Sequence, residues 1–307
     1  MKIVEKLIAF GGLALIGCIS LLVSCNPEVI TPTPGNYIIQ GDQDTGPAFS
    51  ADGNFIAYLH DDATSNSATA YATGLYFIDR NGNNRKLVLL GVHLDPAWSP
   101  DGQWLVFSSL GVIQKCKTNG DSLTTFKGLS NLKYPQFYFP DWSADGKNIL
   151  FDNPFPSDGG GIFQIASNFI NAKRLFGLDP FGRIRRDPDL SPDESQFVFI
   201  KAGPEESIGE IYKIDTLGKT EIRLTQNTRY DRSPTWSPDG LRIAWSSNIR
   251  LTLMKNDGTG QIEIGYGNTP SWSINNEIVF SHANADYTKE VLYTILPDGS
   301  NKKQITF

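Results

Sequence analysis

Short apolar stretches alternate with clusters of turn-forming residues along most of the chain. In stretches such as Trp104–Val106 and Ile243–Trp245, apolar side chains recur with the period of a β-strand. Glycine, proline, asparagine and aspartate lie between these stretches, as they do in tight hairpin turns. No amphipathic helical period follows residue 25, so the pattern predicts an all-β chain.

One phrase recurs six times, and its recurrence predicts the architecture. The copies are GPAFSADGNFIAYL from Gly46, DPAWSPDGQWLVFSS from Asp95, FPDWSADGKNILFDN from Phe139, DPDLSPDESQFVFIK from Asp187, SPTWSPDGLRIAWSS from Ser233 and TPSWSINNEIVFSH from Thr269. The serine of each phrase is residue 50, 99, 143, 191, 237 or 273, which gives steps of 49, 44, 48, 46 and 36 residues. Repeats of this length are typical of propeller blades.

Each phrase predicts one hairpin, and a second predicted hairpin follows it before the next phrase begins. Ser-Pro-Asp-Gly supplies proline and glycine at the turn positions that require them. The second hairpins include GLYFIDRNGNNRKLVL from Gly74 and EIYKIDTLGKTEIRLT from Glu210. Four strands in each of six repeats predict a six-bladed β-propeller over residues 37–307.

The Pro-x-Trp-Ser-Pro-Asp-Gly phrase, followed by an alternating strand, resembles the WD-like repeat of TolB-type propellers from about Asp44 onward. The resemblance implies a propeller and is less specific for function, since similar repeats occur in Tol-system proteins and in peptidase propellers. Two copies depart from the phrase. Glu194 replaces glycine in the fourth copy and predicts an altered turn, whereas Asn275-Asn276 forms a shorter turn in the sixth. The repeated Trp98, Trp142, Trp236 and Trp272 are expected to pack between blades.

The first residues predict a bacterial lipoprotein. Residues 1–24 combine Lys2 and Lys6 with an apolar run from Leu7 to Val23, which is the layout of a signal peptide. Leu22-Val23-Ser24-Cys25 resembles the lipobox, which implies cleavage before Cys25 and lipidation of its sulfur; an uncleaved anchor helix is the alternative. Residues 25–36 are rich in proline and predict an extended tether. We therefore expect an outer-membrane anchor through lipid alone, with the domain facing the periplasm or the cell surface.

Charge and cysteine content narrow the function classes. The formal net charge of −6 argues against a nucleic-acid partner. Cys18 lies in the signal and Cys25 carries the lipid, so Cys116 has no partner in the chain and is expected to be a small buried apolar residue.

Long connections between hairpins are expected on one face of the propeller, and loops on a rigid scaffold often carry binding residues. Arg183, Arg185 and Arg229 form a local basic set that suits a carboxylate or a phosphate, unless neighbouring aspartates neutralise it. Phe137 and Tyr138 belong to an aromatic group in the same loops, suited to sugar or protein contact, or to a lid over the channel.

The residue three places before each repeat proline is expected to line the channel mouth. These residues are Asp44, His93, Phe137, Arg185, Asp231 and Gly267. A metal held by Asp44, His93 and Asp231 is a weaker alternative, because these residues come from separate blades. We expect no resident metal and no cofactor.

The sequence therefore predicts a monomeric envelope lipoprotein that binds a protein, peptide or glycan through Asp44, His93, Phe137, Tyr138, Arg183, Arg185, Arg229 and Asp231. G-x-S-x-G and H-E-x-x-H motifs are absent from the sequence, which favours binding over catalysis. The alternative is a polysaccharide lyase-like enzyme that acts at the channel mouth through paired carboxylates.

Overall fold

The computed structural model describes residues 41–62, 71–129, 132, 136–155, 157, 160–202 and 208–307. Within these residues every regular element is a β-strand, as the alternating pattern predicts. The signal segment 1–24, Cys25 and the tether 25–36 lie outside the described residues.

The strands follow one another in consecutive groups of four, and within each group the strands pair antiparallel. The first three groups consist of β1 (Gln43–Phe49), β2 (Phe55–Asp61), β3 (Gly74–Asp79) and β4 (Lys86–Leu90); β5 (Leu94–Trp98), β6 (Trp104–Ser109), β7 (Val112–Lys117) and β8 (Thr124–Thr125); and β9 (Tyr138–Trp142), β10 (Asn148–Asn153), β11 (Gly161–Ala166) and β12 (Lys173–Phe176).

The remaining described strands continue the same order. They are β13 (Ile184–Leu190), β14 (Gln196–Ala202), β15 (Glu210–Asp215) and β16 (Glu221–Arg223); β17 (Asp231–Trp236), β18 (Arg242–Ser247), β19 (Arg250–Lys255) and β20 (Ile262–Tyr266); and β21 (Asn268–Trp272), β22 (Ile278–Ala283), β23 (Glu290–Ile295) and β24 (Lys303–Gln304). The fold is an all-β propeller of four-stranded antiparallel blades.

Four of these groups form separate sheets, whereas β1–β4 and β21–β24 belong to one eight-stranded sheet. Gln43 and Glu290 provide the parallel pair that joins them. Two further backbone bonds reinforce this join: the amide of Gly41 donates to the carbonyl of Thr288 over 2.9 Å, and the amide of Glu290 donates to that of Asp42 over 3.3 Å. We call this join the seam.

The first strands of successive groups contact one another around the axis: β1 contacts β5, β5 contacts β9, and the series continues through β13, β17 and β21 back to β1. The core consists of apolar clusters between neighbouring groups. Trp98, for example, packs with residues of both β1–β4 and β5–β8, and its indole N–H donates to the carbonyl of Ala48 over 3.0 Å. The predicted packing role of the repeated tryptophans is confirmed.

The two faces of the propeller differ in their connections. Tight turns join the first strand to the second and the third to the fourth, while the other connections emerge at the opposite end. We call these ends the turn face and the loop face. The turn that contains Glu194 is not altered: Glu194 adopts a φ of 56°, and its amide donates to Ser191 as that of Gly53 does to Ser50, both over 2.8 Å. Asn276 likewise has a positive φ of 61°.

A bulge interrupts the first strand of every group beside its repeat proline. The residue before that proline has a positive φ, between 47° and 59°, in all six copies; these residues are Gly46, Asp95, Phe139, Asp187, Ser233 and Thr269. Only the first of them is glycine, so the ring of contacts holds five side chains in a conformation that L-residues disfavour.

Candidate functional site

Asp44 and His60 form a buried pair at the loop-face end of the seam. They are opposite one another in the β1–β2 ladder, and His60 Nδ1 donates to Asp44 Oδ1 over 2.7 Å. This bond directs the other ring nitrogen, Nε2, away from the carboxylate. His60 is only 3% exposed, and within the described residues its Nε2 has no hydrogen-bond partner. Burying a polar atom without a partner is costly, so a hydrogen bond from an incoming group to this nitrogen would be favourable.

Arg85 lies beside this pair and is held by aromatic rings. Its guanidinium carbon is 3.9 Å from the ring centre of Tyr71 and 4.8 Å from that of Tyr76. One guanidinium nitrogen is 3.4 Å from Asp44 Oδ1, a long contact to an oxygen that already accepts from His60. Arg85 Nε is buried and lacks a hydrogen-bond partner among the described residues. The guanidinium is therefore positioned mainly by stacking on these rings.

These side chains line a cavity of about 220 Å³, which we call the seam pocket. Asp44, His60, Tyr71 and Arg85 line it from β1–β4 and the adjoining connections; Asp42, Lys289, Glu290, Val291 and Phe307 complete the lining. Burial raises the pKa of Glu290, and Lys289 is 3.7 Å from Asp42. The pocket thus combines acids, bases and aromatic surface at one place on the loop face.

The central channel is lined by residues adjacent to the repeat prolines. Its cavity measures about 160 Å³, and four of its residues are Asp95, Asp141, Asp187 and Asp189. The residues three places before each proline, which were expected at the channel mouth, are absent from the lining of this cavity, and one of them, Asp44, lines the seam pocket instead; the six residues are Asp44, His93, Phe137, Arg185, Asp231 and Gly267. The bulge accounts for the difference, because it turns the residues beside the proline toward the axis.

Backbone amides of neighbouring groups bind the channel carboxylates. Asp187 Oδ2 accepts from the amide of Ser233 over 2.7 Å, and Asp189 Oδ2 accepts from that of Trp236 over 2.6 Å. Burial, together with the charge of Asp187, raises the pKa of Asp95 to about 7, and burial raises that of Asp187 to about 6. Burial also raises the pKa of Asp141 to about 6 and holds that of its neighbour Asp189 well above the ordinary value.

Three predicted binding residues are buried away from both cavities. Phe137 is fully buried, with ring centres 5.0 Å from Phe151 and 5.5 Å from Phe126, so it belongs to the core rather than to a ligand surface. The Tyr138 hydroxyl donates to Gln136 Oε1 over 3.0 Å. His93 Nε2 donates to the carbonyl of Leu90 over 2.9 Å, and burial lowers the pKa of His93, which keeps the ring neutral.

Carboxylates neutralise the predicted basic set. Arg183 is 2.8 Å from Asp179, Arg185 is 2.6 Å from Glu221, and Arg229 is 2.5 Å from Glu263. The buried Lys201 bridges the first two pairs, because its ammonium contacts both Asp179 and Glu221. The structure therefore supports the neutralised interpretation of these arginines.

Asp231, the remaining predicted binding residue, is fully buried. Its Oδ2 accepts from Asn227 Nδ2 over 2.8 Å, and burial raises its pKa. Within the part of the chain that the structure describes, no group of three or more His, Cys, Asp or Glu side chains could hold a metal ion. No helix within that same part has the length and apolar character needed to cross a membrane.

The sequence reasoning found Asp44 but missed His60, Arg85 and the channel aspartates. A signal for the aspartates was present, because an acidic residue precedes the repeat proline in DPAW and DPDL and follows it in FPDW and DPDL. His60 and Arg85 had no such signal: one lies near the end of a strand and the other follows a turn, and only the folded sheet brings both to Asp44.

Comparison with known proteins identifies the fold. A structure of TolB from Acinetobacter baumannii superposes with a TM-score of 0.64 at 21% identity, covering 82% of this chain and 63% of that one. This chain has a TolB-like propeller fold. The TolB-like resemblance predicted from the repeat is thus confirmed for the architecture.

Two further matches are a solved structure and a curated relative. An oligogalacturonate lyase from Vibrio parahaemolyticus superposes with a TM-score of 0.55 at 11% identity, covering 89% of this chain and 80% of that one. An uncharacterized protein of Agrobacterium fabrum is 25% identical over 180 residues, which cover 55% of this TolB-like chain and 52% of its relative. The chain thus spans about half the length of that relative. No family model matches the sequence.

Proposed function

We propose that this chain is an envelope lipoprotein, anchored to the outer membrane through Cys25, whose propeller binds a protein, peptide or glycan through its loop face. The observation that carries the proposal is the seam pocket, which is lined by His60 and Arg85; the buried Nε2 of the first and Nε of the second have no hydrogen-bond partner among the described residues. Buried polar atoms without partners favour a site that acquires them from a ligand. The TolB-like fold supports an envelope location.

We infer that the ring has six blades and closes at the seam. In this interpretation the eight-stranded sheet is two blades, β1–β4 and β21–β24, joined through Gln43 and Glu290. Two observations support it: the first strands contact one another in a closed series, and an apolar cluster lies between β1–β4 and β21–β24 as between other neighbouring groups.

The anchor is tested by labelling with a palmitate analogue in a bacterial host, followed by membrane fractionation. We expect the full chain to incorporate the label and Cys25→Ser to lose both the label and outer-membrane fractionation. Cys18→Ser is the matched control and should retain both, since that thiol lies within the proposed signal segment. Label retained in Cys25→Ser would contradict the anchor.

The binding face is tested by thermal unfolding of the full chain in detergent against envelope peptides, neutral glycans and uronate oligomers, because a ligand that binds only the folded state raises the midpoint. Phe181→Ser, at a loop-face residue that is 78% exposed, should reduce the shift caused by a large ligand. Leu241→Ser, at a turn-face residue that is 62% exposed, is the matched control and should leave it unchanged. The same loss in both variants would contradict a loop-face site.

A second candidate function is a polysaccharide lyase-like activity, which the Asp44–His60 pair favours. With Nδ1 bound to a carboxylate, Nε2 has the geometry of a general base, and Arg85 could neutralise the carboxylate of a uronate substrate. Incubation with oligogalacturonate, followed by the ultraviolet absorbance of the unsaturated product, tests this candidate. Product formed by the wild type and abolished in His60→Gln would establish the enzyme; our primary proposal expects none.

A further inference from the structure

We propose that the seam pocket binds one neutral pyranose ring, as a free sugar or as the terminal residue of a glycan. The inference rests on the proposed binding function, because it names the ligand class for one site on the loop face. Four properties of the pocket carry it: its unpartnered polar atoms, its charge balance, its size and its aromatic rim.

The unpartnered atoms form a matched pair of donor and acceptor. Since His60 Nδ1 donates to Asp44, Nε2 is the ring nitrogen that is left to accept, whereas Arg85 Nε is a donor; neither atom has a partner among the described residues. Both side chains reach Asp44 Oδ1, through His60 Nδ1 at 2.7 Å and Arg85 Nη2 at 3.4 Å, and both line the pocket. The hydroxyls of one sugar suit this arrangement, since one can donate to His60 Nε2 and another can accept from Arg85 Nε.

The charge balance selects against anions. Asp42 lies beside Lys289 and Asp44 beside Arg85, so the charges of these two acids and two bases balance, and burial favours the neutral form of Glu290 by raising its pKa. The lining therefore offers no excess positive charge to a phosphate or a carboxylate. Hydroxyls carry no charge and both donate and accept, so a polyol can bond with acids and bases together.

The size and the rim favour a single ring. A cavity of about 220 Å³ is smaller than the roughly 300–1,000 Å³ of sites for drug-sized molecules, which limits the occupant to about a dozen non-hydrogen atoms. Tyr71 is 41% exposed and Phe307 is 82% exposed at the same pocket, and they offer apolar surface to the C–H face of a sugar. A pyranose combines this volume, such a face and several hydroxyls.

The test is a titration of the full chain in detergent with the methyl pyranosides of glucose, galactose and mannose, followed by saturation-transfer NMR. We expect saturable binding of at least one of them, with a Kd on the order of 1 mM for a ligand of this size. Arg85→Gln should weaken binding about tenfold or more, because a charged donor is lost. Phe307→Ser should weaken it by roughly threefold and, since that side chain is exposed, without loss of folding.

Arg229→Gln is the matched control, since Arg229 is a loop-face arginine that pairs with Glu263 outside the pocket. The Kd of this variant for the pyranoside should stay within about twofold of the wild-type value. No saturable binding by wild type, or equal loss in Arg229→Gln and Arg85→Gln, would overturn the proposal. Preferential binding of galacturonate or of an α-amino acid would also overturn it. If the pyranosides fail while a peptide or protein still raises the unfolding midpoint, the sugar site is wrong and the binding function stands; if no ligand has any effect, both fail.

Discussion

Replacing Asp95 by asparagine should stabilise the chain at neutral and alkaline pH. Asp95 lies in the central channel, where burial and the charge of Asp187 raise its pKa from 3.8 to about 7. At a pH between these two values, the carboxyl group of Asp95 keeps its proton in the folded state, whereas the same group in the unfolded chain has already released it. The free energy of unfolding therefore falls as pH rises from about 4 to about 7 and levels off above that range.

The pKa difference sets the magnitude of this effect. A change from 3.8 to about 7 corresponds to about 4 kcal/mol when Asp95 is fully ionised. Asp95 is partly accessible to water in the channel, so we expect Asp95→Asn to gain about 2–4 kcal/mol at pH 8 and much less at pH 5. Asparagine also tolerates the φ of 52° at this position better than most residues.

The assay is urea unfolding of the full chain at pH 5, 6, 7 and 8, followed by tryptophan fluorescence in a buffer with a chelator. Asp257→Asn is the control: Asp257 is exposed and hydrogen bonds from Thr259 lower its pKa, so it does not titrate in this range. A wild-type free energy of unfolding that is flat or rises between pH 5 and pH 8 would refute the reasoning. So would an Asp95→Asn variant with the pH slope of wild type.

Three further experiments test the packing. Gly53 and Gly102 both have a φ near 68°, but a Cβ added at Gly53 would lie 2.4 Å from Asn275 Nδ2, whereas one added at Gly102 meets nothing within 4 Å. In urea unfolding, Gly102→Ala should therefore lower the free energy of unfolding by about 1–2 kcal/mol, and Gly53→Ala should lower it by more. Equal losses would contradict the steric argument. Cys116 is buried and its pKa is raised to about 12, so iodoacetamide should label it only after denaturation, and labelling of the folded chain would show that it is accessible. Phe137→Ala should lose about 3–5 kcal/mol in the same urea assay, and a loss below about 1 kcal/mol would mean that this ring is not part of the core.

The strand pattern was predictable because it is local. Alternation places one face of each strand inward, and the Ser-Pro-Asp-Gly turn is stabilised within a few residues. Ser99 Oγ, for example, donates to Asp101 over 2.5 Å and accepts from the amide of Trp104 over 2.9 Å. Such contacts depend on neighbours in sequence, so the sequence alone contains them.

The positions that line the channel were not predictable in this way. The residue three places before each proline would face the axis in a regular strand, but the bulge beside the proline changes the alternation. Only Gly46 among the six bulge residues suggests a positive φ, whereas Asp95 and Phe139 do not. Their conformation comes from contacts between neighbouring first strands, which no local pattern records.

The seam pocket was predictable only in part. Asp44 was found through its place in the repeat, but His60 reaches it across the ladder and Arg85 across stacked tyrosines. The interpretation of Arg229 as a ligand-binding residue depended on the partner it finds, and Glu263 lies 34 positions away in the chain. Pairings over such separations depend on how the strands pack in the folded chain.

The repeated bulge gives the propeller an axis whose chemistry can change independently of its shape. The same backbone conformation is held by glycine at Gly46, by an aromatic residue at Phe139, by a hydroxyl at Ser233 and by acids at Asp95 and Asp187. Since the ring of strands enforces the geometry, a new side chain at any of these positions changes the polarity and width of the channel without a new fold. The axis can therefore diverge one residue at a time, and related propellers with a common scaffold can present very different interiors.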